Sequence, residues 1–245
     1  STADREALVE FDNWGTSEVN SLYRYFYKCT NMVYSATDAP DVTSLTGGGG
    51  TPNSGTWMYE MFRDCESVVT LDLSGWTNTE NITNFQYCWY DCSGLQTLNL
   101  TGWDTSNILT FLSACGDAGD ATNGCAFTMP NLNLSSCTTL NQIFYGTTGA
   151  VASSIDVSGW TLRAAGVTMA STFNRLKKGG AGPTLTMDLS GWSNTSGITS
   201  LGGTFGDTEL TSINTTGWDT SNATTMSGTF YKSDILTHVT GLDDW

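Results

Sequence analysis

The chain has 245 residues and a formal net charge of −15, from 24 acids against nine bases; 39% of it is apolar and only 13% charged. That balance excludes nucleic acid as a partner, because the phosphates would be repelled, and equally an anionic membrane surface. Ten Phe, nine Trp and nine Tyr argue for a packed core rather than disorder. No stretch approaches the ~18–20 consecutive apolar residues of a spanning helix, so no membrane insertion is expected.

From the N-terminus onward, two kinds of segment alternate. The first carries apolar residues at i, i+3 and i+7: Val19, Leu22, Phe26; Ile82, Phe85, Trp89; Ile108, Phe111, Cys115; Ile198, Leu201, Phe205; and Ala223, Met226, Phe230. Met58 and Phe62, Leu140 and Phe144, and Met169 and Phe173 keep the last two positions. That spacing predicts short amphipathic helices. WTNTEN at 76–81 and WDTSN at 103–107 and 218–222 supply N-cap oxygens ahead of them.

The second kind alternates, as in Val68-x-x-Leu71-x-Leu73, Leu95-x-x-Leu98-x-Leu100 and Met129-x-x-Leu132-x-Leu134. Period two predicts short strands, here centred on 40–43, 71–73, 98–100, 132–134, 155–157, 187–189, 213–215 and 239–241. Between the inward aliphatics lies an outward column of Asp72, Asn99, Asn133, Asp156, Asp188 and Asn214, flanked by Thr and Ser. A glycine and a Trp then close most units. The Trp residues stand 27 (76 to 103), 57 (103 to 160), 32 (160 to 192), 26 (192 to 218) and 27 (218 to 245) apart, and the long step hides a weaker unit with Cys137 at the Trp position.

A period of this kind means one supersecondary unit stacked on its copies. The expected fold is an α/β repeat: a right-handed leucine-rich-repeat solenoid of about eight units, with a parallel sheet on one face and short helices on the other. It occupies residues 1–245 as one domain, alone or within a longer chain. Its core should hold one column of Phe26, Phe62, Trp89, Phe144, Phe173, Phe205 and Phe230, and another of Trp76, Trp103, Trp160, Trp192 and Trp218. Insertions at 46–55, 116–125, 146–154 and 177–184 interrupt the period and are expected as loops on one face.

No catalytic constellation emerges. The seven Cys lack the paired C-x-x-C spacing of a zinc site, and Cys29, Cys65 and Cys92 share one position, which reads as core packing. Cys115 and Cys125 flank an insertion, so a disulfide between them stays open. His238 is the only histidine and sits in an outward column. No cofactor is expected; Asp117, Asp120 and Asn123 offer oxygens to calcium but depart from the spacing of a calcium loop.

The string W-D-T-S-x-x-x-x-M-x-x-x-F-x-x-C-x-x-L-x-x-L-D-L-S-x-W resembles the BspA-like leucine-rich repeats of bacterial surface proteins, which also occur in phage genomes. Trp218, Asp219, Thr220, Ser221, Met226 and Phe230 carry its first half, and Cys92, Leu95, Leu98, Leu100 and Trp103 its second. The opening FDNWGTSEVNSLYRYFYKCTNM is similar to a first repeat of such arrays, and the resemblance spans nearly the whole chain. It implies a leucine-rich-repeat solenoid with a role in surface attachment or recognition.

The expected function is therefore non-enzymatic: an extracellular adhesion module on a cell surface or virion. It would bind a host-surface glycan or protein through Asp72, Asn99, Asn133, Asp156, Asp188 and Asn214 or through the insertions. The alternative is a structural virion or appendage subunit whose array contacts neighbouring subunits. Ice binding is a remoter third class, since the outward columns mix Asp, Asn, Ser and Thr.

Overall fold

A computed structural model describes residues 7–16, 18–45, 57–149, 155–179 and 184–245. The chain winds as a parallel β-solenoid of about eight turns. Every strand pair among the described residues is parallel and joins one coil to a neighbouring coil. The insertion at 46–55 lies outside the described residues.

On the strand face, Thr70–Asp72, Thr97–Asn99, Ala126–Thr128 and Ile155–Asp156 form one sheet. Leu71, Leu98, Phe127 and Ile155 stand in register and point inward, each 5% exposed or less. A second sheet joins Leu185–Asp188, Leu210–Asn214 and His238–Thr240, aligning Met187, Ile213 and Val239. At the N-terminal end Glu10–Phe11 pairs with Val33–Tyr34. The strand expected at 40–43 is thus replaced by Val33–Tyr34, and Asp41 makes only a single bridge to Glu18.

The fourth coil corrects the repeat alignment. Phe127, not Leu132, lies opposite Leu98, and Thr128 aligns with Asn99 and Asp156. Pro130, Asn131 and Leu132 then take the places of Thr101, Gly102 and Trp103. Asn131 adopts the positive φ (57°) that Gly102 and Gly159 adopt in the neighbouring coils. With Leu132 at the Trp position, the long interval divides into 29 and 28 residues, close to the other steps. Cys137 instead occupies the place of Ile108: its amide donates to Leu134 as that of Ile108 does to Thr105. Asn133–Leu134 pairs with Thr161–Leu162 in a separate two-stranded sheet.

Among the described residues the opposite face carries no α-helix; the helices described are three short 3₁₀ turns, Thr79–Asn81, Thr195–Gly197 and Leu242–Asp244. What replaces the expected helices is a row of linked turns in each coil. In the coil after Thr110, alternate amides of Phe111, Ser113, Cys115 and Asp117 donate to the next coil, at Thr139, Asn141, Ile143 and Tyr145 (2.7–3.1 Å). Between them, Ala114, Gly116 and Ala118 donate to the carbonyls three residues back. Ser113 and Asp117 sit at φ 51°. A helix would instead bond every amide to the carbonyl four residues back and would not admit left-handed residues at this interval. Turns linked every four residues return side chains to one side at nearly helical spacing, which is why the stripe read as a helix.

The rows stack into columns. Left-handed φ recurs at Arg24, Glu60, Tyr87, Ser113, Gln142, Ser171, Gly203 and Gly228, and again four residues later at Lys28, Asp64, Asp91, Asp117, Gly146, Arg175, Asp207 and Lys232. Inside, Phe144, Phe173, Phe205 and Phe230 stack face to face, with centroids 5.5–5.7 Å apart. Trp76 stacks on Trp103, and Trp160, Trp192 and Trp218 form a second pile. Cys115 interrupts the Phe column, where Phe111 stacks on Trp160 instead.

The described parts of three insertions, 116–125, 146–149 and 177–179, are not free loops; residues 150–154 and 180–183 lie outside the described residues. Cys125 bridges to Gly149, and Thr148–Gly149 pairs with Lys177–Lys178, so stretches from successive coils form an extra parallel ledge. Gly119 is required there, since a Cβ would come within 2.2 Å of the Thr148 carbonyl oxygen.

Candidate functional site

The outward column is built by one local device. In Asp-x-Ser, the Asp72 Oδ1 accepts from the Ser74 hydroxyl at 2.7 Å and from the Ser74 amide at 3.2 Å. Asn99 with Thr101, Asp156 with Ser158, Asp188 with Ser190 and Asn214 with Thr216 repeat it, each with a 2.7 Å hydroxyl bond. These bonds end the strand and start the turn toward the Trp. Hydroxyl and amide donation from Ser74 holds the Asp72 carboxyl below its ordinary range. The fourth coil lacks the device, because Thr128 has no carboxyl or amide oxygen and Pro130 no N–H.

Between coils the column is also tied. Asn99 Nδ2 donates to Asp72 Oδ1 (3.0 Å), and the Thr240 hydroxyl donates to Asn214 Oδ1 (2.8 Å). One oxygen of each Asp therefore serves the turn. No hydrogen bond within the described residues engages Oδ2 of Asp156 or Asp188.

Where Ile155–Asp156 gives way to Leu185–Asp188 the strand face splits into its two sheets. A groove of about 490 Å³ opens there and runs across four coils. It is lined by Asp156, Asp188, Asn214, Thr186, Ser212 and His238, with the buried Ile155, Val157, Met187 and Ile213 beneath them.

Of the six residues singled out from the sequence, Asp156, Asp188 and Asn214 come together at this groove. Asp72 and Asn99 lie in the same column on the earlier sheet. Asn133 does not belong: it stands in the sheet with Thr161, and Thr128 holds its expected place. Thr186, Ser212 and Thr240 line the groove as well, and the same period-two alternation that exposes the Asp column exposes them.

The other chemical candidates have local explanations. All seven cysteines are buried thiols outside any disulfide, Cys115 and Cys125 included. Burial pushes the Cys137 thiol up to about 12 and those of Cys65, Cys88, Cys92, Cys115 and Cys125 higher. Asp120 Oδ1, the suspected calcium oxygen, accepts from the amides of Thr122 and Asn123. Among the described residues no three His, Cys, Asp or Glu side chains are placed to hold a metal, and no helix is long and apolar enough to cross a membrane.

One family matches the chain, that described as Mycoplasma protein of unknown function, DUF285. It does so three times, over residues 3–127, 56–181 and 120–245. The matches overlap and advance by about two coils each time, as a family defined on the same repeat should. No curated protein and no solved structure matches.

Proposed function

We propose that this chain, which belongs to the DUF285 family, is a non-enzymatic recognition module displayed outside a cell or on a virion. In this reading its repeats are relatives of the BspA-like surface repeats that their phrase resembles. The ligand is a glycan or a protein epitope of a host surface, held along the strand face. The observation that carries the reading is the groove at the split in the sheet, where polar groups from four coils converge. A glycan offers alternating hydroxyls and C–H faces, and its hydroxyls suit the acceptors Asp156, Asp188 and Asn214 along the groove.

The second reading is a structural subunit of a virion or appendage, in which the array is a spacer. What favours it is that each outward Asp or Asn already has a turn-forming task. The test is a glycan array and a panel of host-type surface proteins, probed with the parent and with Asp156→Ala/Asp188→Ala. Binding by the parent that falls at least tenfold in the variant, at unchanged melting temperature, fits recognition. Equal attachment by both leaves the column as scaffold and favours the spacer.

A further inference from the structure

One rung of the strand face is missing. Elsewhere the residue after the outward column donates its amide to the column residue of the next coil: Leu73 to Asn99, Leu100 to Thr128, Met129 to Asp156, Leu189 to Asn214 and Thr215 to Thr240, at 2.8–2.9 Å. By the same rule Val157 should donate to Asp188. The sheet splits there, and neither the Val157 amide nor the Asp188 carbonyl oxygen has a partner among the described residues.

The groove therefore holds an excess of acceptors. Asp188 offers its carbonyl oxygen and its Oδ2, and Asp156 its Oδ2, since the Oδ1 of each serves its own turn. Neither Lys nor Arg lines the groove, and His238 is the one basic side chain along it. Asp188 is exposed and Asp156 half-buried, so both carboxylates are open to a partner. The whole chain, at −15, adds a field that draws in cations and turns anions away.

We infer that the ligand of this groove is a basic segment of another protein, which lays a Lys or Arg side chain across the split. The inference rests on the reading of the groove as the recognition surface and decides between the two ligands of that reading. A sugar hydroxyl brings an acceptor with every hydrogen it gives, and it leaves both carboxylates uncompensated. An ammonium or guanidinium group brings donors alone, together with the opposite charge.

The test titrates the full chain, isotopically labelled, with a capped tri-arginine peptide, a capped tri-glutamate peptide, a neutral glucose trisaccharide and a chitosan trimer, which carries amino groups on sugar. Saturable binding of the arginine peptide is expected, with amide shifts at Val157 and Asp188 and weakening by salt. Asp156→Asn/Asp188→Asn keeps the turn-forming oxygens, as Asn99 and Asn214 do, and should bind that peptide at least about fivefold more weakly. Asp104→Asn/Asp219→Asn removes the same charge away from the groove and should bind within about twofold of the parent. Equal losses in the two variants would reduce the binding to the field of the whole chain and overturn the proposal. So would shifts outside the groove, no saturable binding of the arginine peptide at millimolar concentration, or binding of the glutamate peptide as tight. Tighter binding in the groove by either sugar would overturn the proposal while leaving recognition by the groove standing. A groove silent to every probe and to the wider panel of glycans and surface proteins would remove both.

Discussion

Cys92 Sγ donates to the carbonyl oxygen of Phe62, 3.0 Å away in the preceding coil. Cys65 does the same to Phe26, the Thr147 hydroxyl to Cys115 and the Ser233 hydroxyl to Phe205. The position therefore selects a small buried donor, and thiol and hydroxyl are alternatives within it. Cys92→Ser should change stability by less than about 1 kcal/mol. Cys92→Val, more apolar but without a donor, should cost more, about 1–2 kcal/mol. Urea unfolding of both variants measures the difference; a Val variant as stable as the Ser one would contradict the donor role.

The thiols should be inert in the folded state. All seven are buried thiols, and burial holds Cys65, Cys88, Cys92, Cys115, Cys125 and Cys137 above the ordinary thiol range. A thiol reagent should leave the native chain essentially unmodified and label seven sites once it is unfolded without reductant. Five labelled sites would mean that a disulfide exists.

Phe144 lies between Phe127 and Phe173, the latter ring 5.6 Å away and nearly parallel at 7°. Because it joins two coils, its loss should propagate. Phe144→Ala should cost roughly 3–5 kcal/mol and lower the cooperativity of unfolding. A variant that melts like the parent would refute the stacked column that runs from Phe144 to Phe230.

Acid affects two sets of carboxyls in opposite senses. Asp41, Asp72, Asp104 and Asp219 are held low by donation from the hydroxyl and amide two residues on. Their contribution is present above the unfolded value of about 3.9 and is lost as pH falls through their lower folded values. Asp91 is held high, first by burial and then by Asp64, Asp117 and Glu66. Its ionisation opposes folding, so the associated stability is complete below about pH 4 and lost as pH rises through its folded value. Asp91→Asn should thus raise the melting temperature at pH 7, and the gain should vanish below about pH 4. Asn also tolerates the φ of 55° found there. A gain independent of pH would point to backbone conformation instead of charge.

Much of the strand face was legible because period two is a direct consequence of the pleat. Leu71, Leu98 and Ile213 are inward, and Asp72, Asn99 and Asn214 outward, as the alternation requires. The rows of turns were not legible as such. Phe111 and Cys115 recur at four-residue spacing in a helix and in linked turns alike, and only the left-handed residues between them distinguish the two. In the sequence those are ordinary Ser, Gln, Tyr and Arg beside a few Gly. The fourth coil misled for a different reason: Leu132 fills the Trp place and Pro130 the Ser place, so the phrase there lost both of its markers. Asn133-Leu134-Ser135 imitates it five residues too late, which put Asn133 into the candidate site.

The central claim, that the groove at Asp156 and Asp188 is the recognition surface, is tested most directly by titrating the isotopically labelled chain with the tightest ligand from the glycan and protein panel and mapping amide shift changes. The account predicts that they concentrate on Asp156, Ser158, Thr186, Asp188, Ser212, Asn214 and His238. Changes confined to the ledge at Asn123, Thr148 and Lys178, with the groove silent, would contradict it.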